Sequence, residues 1–165
     1  MEIRKATASD IESFKRFMIR AWDEAGPGAP GWTGASDERV EQLTSNDFLS
    51  SLLTRAEVTV FLAWDEGEVV GFASNRKVDD ETVELSGIVV LESMTGKGIG
   101  SRLIDSAVKA AADDGFSQLV VKTEIFNERA IGFYTNKGFE IEDQMVSEVE
   151  GVKVELVELR LLLRP

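Results

Sequence analysis

Gly96-Lys97-Gly98-Ile99-Gly100 is the stretch of this chain best suited to chemistry. It follows the apolar run Ile88-Val89-Val90-Leu91 and opens a helical pattern, Ile99, Leu103, Ala107 and Ala111. The spacing predicts a strand, a glycine turn and a helix. Glycines let a backbone approach a ligand closely and adopt turns that a Cβ forbids. The first N–H groups of a helix lack internal partners and carry partial positive charge. Together these features suit phosphate oxygens. A tight turn without a ligand is the plainer alternative, but three alternating glycines exceed what a turn needs.

Two familiar phosphate-binding turns fit poorly. A P-loop requires G-x-x-x-x-G-K-[ST]; here Gly98 follows Lys97, and no Ser or Thr takes the magnesium position. A dinucleotide fingerprint requires G-x-G-x-x-G; Gly96 and Gly98 fit, but Ser101 replaces the third glycine. That fold also needs several more βα units, and the remaining residues read as one βα unit and two strands. Glu124 could mimic its ribose-binding acid, about 20 residues on. A third ligand is the pyrophosphate of coenzyme A.

The whole chain supports this third reading, because over nearly its full length it resembles the Gcn5-related N-acetyltransferase family. The family's Arg/Gln-x-x-Gly-x-Gly/Ala turn falls on Thr95, Gly98 and Gly100. Its Asn-x-x-Ala-x-x-x-Tyr motif, with Gly-Phe four residues on, falls on Asn127, Ala130, Tyr134, Gly138 and Phe139. Thr95 departs from the family's Arg or Gln, which implies weaker support for the pyrophosphate at that position.

The resemblance implies a mixed α/β fold: a mostly antiparallel twisted sheet of about seven strands, with about four helices on its two faces. It implies an acetyl-CoA-dependent N-acetyltransferase in which an acceptor amine attacks directly in a ternary complex. Thr95, Gly96, Lys97, Gly98, Ile99, Gly100 and Ser101 would hold the pyrophosphate. The backbones of Ile88, Val89 and Val90 would meet the pantetheine arm and acetyl carbonyl where two central strands splay at a bulge. Asn127 would bond the pantetheine arm, although it is equally a good helix cap. Tyr134, the only tyrosine, would lie near the thioester sulfur as general acid. An ordinary tyrosine is protonated at neutral pH, as a proton donor must be. Glu84 is expected as general base, against the alternative of a solvent-facing Glu, with Glu124 as the other candidate. Trp22 and Trp32, with Asp23 and Glu24 nearby, flank a glycine-proline loop that covers the acceptor pocket in the family. Two other readings stay open: a coenzyme A-binding module with little catalysis, and transfer of a longer acyl group.

Composition narrows the chemistry. The 165 residues are 43% hydrophobic, which suits one domain, 1–165, with a packed core. There is no cysteine and no histidine. That removes thiol chemistry, the commonest general base and the commonest metal ligand, and no metal site is expected. A covalent thiol route is closed. With 30 acidic and 18 basic residues the net charge is −12. Such a surface disfavours nucleic acid and anionic membranes and favours a cationic amine. The anionic cofactor needs a locally basic rim, which Lys97, Arg102, Arg129 and Lys137 could provide. No apolar run has the length of a membrane span, and the first residues lack a signal-like apolar region, so a cytoplasmic protein is expected.

The elements that must position these residues follow from periodicity. A short strand covers residues 3–6. A helix capped by Ser9 or Asp10 carries Ile11, Phe14, Phe17, Met18 and Ala21. Residues 26–35 form a loop. A second helix from Ser36 or Asp37 carries Val40, Leu43, Phe48, Leu52 and Leu53. Strands are expected at 58–64, 69–73, 82–90 and 119–123. A helix follows the glycine turn to about Gly115, and another spans 127–137. A hairpin of residues 139–146 and 152–163 closes the chain. A homodimer through that final apolar strand is compatible with the pattern, as is an interior position for it.

Overall fold

Alternation along one strand sets the layers of this molecule. A computed structural model describes residues 1–26 and 36–163. The sheet has order β1-β2-β3-β4-β5-β7-β6, built from Glu2–Lys5, Val58–Asp65, Glu68–Lys77, Thr82–Val90, Gln118–Glu124, Val152–Leu162 and Glu140–Val149 respectively. Every pair is antiparallel except β4 with β5. Neighbouring residues on β3 point to opposite faces. A Cβ on Gly71 would come within 3.0 Å of Leu103 in helix α4, Ile99–Asp113. The next residue, Phe72, instead meets Phe14 of helix α1, Ile11–Ala25, with ring centroids 5.2 Å apart. Helices therefore cover both faces. Each buries an apolar stripe: Phe14, Phe17, Met18 and Ala21 on α1, and Ile99, Leu103, Ile104, Ala107 and Ala111 on α4. Full burial of a side chain such as Phe14 or Leu103 stabilises by about 1.5–3 kcal/mol.

The expected second helix is two helices. Helix α2 spans Asp37–Leu43 and α3 spans Asn46–Thr54. Each has its own serine cap: Ser36 Oγ accepts from the Arg39 N–H, and Ser45 Oγ accepts from the Phe48 N–H. The hydrophobic period runs through the break, so the two caps were the signal that periodicity hid. The chain thus has five α-helices among its described residues, the last being α5, Glu128–Asn136. At the start of α1, neither Ser9 nor Asp10 caps by its side chain onto the helix. Asp10 instead turns back to accept from the Thr7 N–H at 2.8 Å, which closes a 3₁₀ turn, Ala8–Asp10, ahead of the helix.

Strand β7 is interior, between β5 and β6. The final apolar strand is thereby spent inside the sheet, and β6 forms that edge. No described helix is long and apolar enough to cross a membrane.

Two irregularities in the sheet open the site. Strand β5 pairs with β4 only from Thr82↔Gln118 to Leu85↔Val121, then leaves it to follow β7. On the other side of β4, the register with β3 shifts between Ser74↔Gly87 and Asn75↔Leu85. Ser86 is the extra residue, so β4 bulges where β5 departs.

Candidate functional site

The gap between β4 and β5 is the floor of a cleft of about 900 Å³. Backbone alternation decides which β4 groups face it. The Leu91 N–H donates to the Val70 carbonyl at 3.1 Å, which makes Leu91 and Val70 a hydrogen-bonded pair. Pairs alternate in an antiparallel ladder. With Val90 opposite Gly71 and Ile88 opposite Ala73, the N–H groups of Ile88 and Val90 turn away from β3. They face the side that β5 has left. Ile88, Val89 and Val90 all line the cleft.

The glycine turn forms one end. Gly96 and Gly98 sit at φ +83° and +77°, the left-handed region that favours glycine. Gly98 caps α4, and the first intrahelical bond runs from the Arg102 N–H to the Gly98 carbonyl at 3.1 Å. The N–H groups of Ile99, Gly100 and Ser101 precede it and have no partner inside the helix. Gly100 differs from the other two. It is helical, and a Cβ there would meet Phe133 Cζ and Val90 Cγ2 only at 3.8 Å, ordinary contact. Neither backbone conformation nor internal packing requires a glycine at this position. What a Cβ would take is space in the cleft beside unpaired donors, and that fits a phosphate-bearing group. Thr95, Gly96, Gly98, Ile99, Gly100 and Ser101 all line this end; the Lys97 side chain does not, and lies against Met94 Sδ at 3.8 Å.

Helix α5 supplies the opposite wall. Asn127 lines the cleft and caps the helix, its Oδ1 accepting from the Ala130 N–H at 3.1 Å. Tyr134 is buried between Phe133 and Phe139, with ring centroids 5.4 and 5.6 Å away, and also lines the cleft. Burial pushes its phenol above the ordinary tyrosine value, so the hydroxyl keeps its proton well into the alkaline range.

Other expected site residues fall elsewhere. Glu84 is outside the cleft lining; its carboxylate is hydrogen-bonded to the Arg76 guanidinium, and Lys122 Nζ lies 3.5 Å from its other oxygen. Glu124 is buried at the end of β5, also off the lining. Trp22 packs against the core rather than the cleft. Trp32 lies outside the described residues. Glu24 accepts from the Ser93 N–H at 2.9 Å and from its hydroxyl at 3.1 Å, tying α1 to the turn before the glycines. Of the four rim cations, Lys137 is paired with Asp105 at 2.8 Å, whereas Arg129 lines the cleft.

The far end of the cleft holds residues that sequence reasoning passed over. Arg55, Arg76, Ser74 and Ser86 line it together with Met18, Leu43, Phe48, Leu52 and Phe72. The one available signal was Ser74-Asn75-Arg76, a polar run inside an otherwise apolar strand.

Comparisons with known proteins agree with this architecture. The model of the acetyltransferase (GNAT) family matches residues 17–139, about three quarters of the sequence. The chain belongs to that family. A mycothiol acetyltransferase of Corynebacterium efficiens is 29% identical over 90 residues, 54% of this chain and 30% of that protein. An uncharacterised N-acetyltransferase of Mycobacterium bovis is 30% identical over 102 residues, 62% of this chain and 65% of that one. The chain thus spans less than two thirds of the length of these relatives. Among solved structures, the PaiA N-acetyltransferase of Thermoplasma acidophilum in complex with coenzyme A superimposes with TM-score 0.73, covering 95% and 96% of the two chains at 21% identity. An N-acetyltransferase of Staphylococcus aureus gives TM-score 0.79, covering 98% and 97% at 17% identity. At these identities the likeness is one of fold.

Proposed function

We propose that this protein is an N-acetyltransferase that uses acetyl-CoA and acts on an amine in a ternary complex. The observation that carries the reading is the line of backbone N–H groups from Ile88 and Val90 to the start of α4, without internal partners among the described residues, ending at Gly100, where neither conformation nor packing calls for a glycine. When bound, acetyl-CoA supplies an acetyl group activated as a thioester.

The residues divide the remaining work. The N–H groups of Ile99, Gly100 and Ser101 bind the pyrophosphate, and Arg129 adds positive charge beside it. The β4 N–H groups complete a ladder that β5 leaves open, holding the extended arm in register and donating to the acetyl carbonyl. The Asn127 oxygen caps α5, and its amide N–H₂ has no partner among the described residues and is offered to the arm. Tyr134 carries its proton at Oη for the departing sulfur, and its burial keeps that proton in place. The Glu84 carboxylate holds Arg76, and the proton that the amine loses passes to bulk water.

Calorimetry with acetyl-CoA, combined with a turnover assay over a panel of amines, tests this. Wild type should bind at micromolar concentration. Tyr134→Phe should bind equally well and lose about 10²–10⁴-fold in turnover, the usual scale for one proton donor. Binding without turnover by wild type would favour a coenzyme A-binding module. Absence of binding by a folded protein would overturn the proposal.

A further inference from the structure

We infer that the end of the cleft formed by α3, β2 and β3 binds a carboxylate, so the acceptor is a small apolar amine that itself carries an anionic group. This inference rests on the acetyltransferase reading of the same cleft.

The charge of the cleft is opposite to that of the molecule. The chain as a whole carries −12, yet among the described residues the cleft is lined by Arg55, Arg76 and Arg129 and by a single carboxylate, Glu92. Glu92 lies three residues before Thr95, at the glycine-turn end. Arg129 belongs to α5 beside Asn127. Arg55 and Arg76 stand apart from both. Arg55 ends α3, three residues before Val58, and Val58 pairs with Arg76 across β2 and β3. The two arginines thereby come from neighbouring elements to line the cleft.

The uncompensated charge is that of Arg55. The Arg76 guanidinium is paired with Glu84, which Lys122 also approaches, and Glu158 stands opposite Lys122 across β5 and β7, so Arg76 offers its remaining N–H donors. Arg55 has no carboxylate partner among the described residues; its N–H only closes the end of α3 onto the Ser51 carbonyl. The sequence of residues 27–35 contains no charged side chain, so that segment brings no compensating carboxylate. Glu150, at the hairpin tip nearest α2, spends its carboxylate on the Ser36 N–H and hydroxyl, both at 3.0 Å.

The walls beside the two arginines are Met18, Leu43, Phe48, Leu52 and Phe72. They suit an apolar body, and by excluding water they strengthen a charge–charge contact. A guanidinium presents paired donors that match a carboxylate. Ser74 and Ser86, whose hydroxyl oxygens are 2.9 Å apart at the bulge, lie between this end and the exposed N–H groups of β4. An acceptor anchored by its carboxylate on Arg55 and Arg76 would thus direct its amine toward the acetyl group. A purely cationic amine, which net charge alone favours, would meet two like charges here.

The test uses six probes: L-phenylalanine, L-leucine and glycyl-L-phenylalanine, each as free acid and as C-terminal amide. Each is titrated calorimetrically into protein saturated with coenzyme A, and its acetylation is measured. At least one acid should bind about tenfold or more tighter than its amide, the scale of one charge-assisted hydrogen bond. Arg55→Ala should abolish that difference without changing the Kd for coenzyme A, and Arg55→Lys should restore part of it. Amides that bind as well as the acids, or six probes that all fail to bind, would overturn the carboxylate site. A folded protein that does not bind coenzyme A would overturn the acetyltransferase reading instead, and the acid-to-amide comparison would then be made on the protein alone by the same criterion.

Discussion

Replacing Gly100 by alanine should push stability and affinity in opposite directions. Glycine within a helix costs about 0.5–1 kcal/mol relative to alanine. Gly100 is the second residue of α4, and its added Cβ meets Phe133 and Val90 at 3.8 Å, so no clash offsets the gain. For a chain of this size, 1 kcal/mol moves Tm by about 2–4 °C. Gly100→Ala should therefore melt about 1–4 °C higher in the absence of ligand. The same methyl group occupies the cleft beside the unpaired N–H groups of Ile99, Gly100 and Ser101. Displacing a phosphate from even one charge-assisted hydrogen bond loses about 1.5–3 kcal/mol, or roughly 10- to 150-fold in Kd. Thermal melts without ligand and calorimetry with coenzyme A read the two effects separately. A higher Tm with unchanged Kd would refute the phosphate cradle. A lower Tm would refute the claim that neither conformation nor packing requires this glycine.

Three further outcomes follow from contacts elsewhere. Tyr134 has its phenol raised by burial above the ordinary value of 10.0, so the folded form holds a proton that the unfolded chain releases. Its contribution to stability is complete below pH 10 and is lost as pH rises further; urea midpoints between about pH 9 and 11 should fall more steeply for wild type than for Tyr134→Phe, and parallel curves would refute this. The Glu24 carboxylate is held below its ordinary 4.5, chiefly by the Ser93 N–H. Its stabilisation is present above pH 4.5 and is lost as pH falls through the lowered value, so Glu24→Gln should be destabilised by roughly 1 kcal/mol at neutral pH and converge with wild type in acid; a gap that persists at about pH 3 counts against it. Gly71→Ala places a Cβ 3.0 Å from Leu103 and 3.2 Å from Ile99, and should cost about 1–3 kcal/mol by equilibrium unfolding; an unchanged midpoint would show that α4 can shift.

What the sequence made legible was local. The glycine turn was readable because its three glycines fall within five residues, and the Asn127 cap because its acceptor and donor lie three residues apart. Strand order within the sheet came only with the family resemblance. The ion pairs of Glu84 with Arg76 and Lys122 were not legible in the sequence. Those residues reach it from neighbouring strands, and a one-residue bulge at Ser86 decides which side chains share its face. Arg55 and Arg76 were missed for the same reason: 21 positions apart in the chain, they come to line one cleft only through the β2–β3 register. Net charge averages the whole surface, whereas the arginine-lined cleft samples a small and atypical part of it.

The departure of β5 from β4 also bears on how the chain reaches its final form. Strand β5 shares four residue pairs with β4 and seven with β7, which follows it by nearly 30 residues. During synthesis, β1 to β4 and α4 can assemble with the glycine turn already shaped. The facing wall must wait, because β5 finds most of its ladder only when β7 arrives, and non-local pairing is slow. Asn127 and Tyr134 lie between these two strands, and Tyr134 is clamped by Phe139 at the start of the last hairpin. The nascent protein thus completes the glycine-turn half of the cleft first and the α5 wall last. The seam between β4 and β5 is also the seam along which folding is completed.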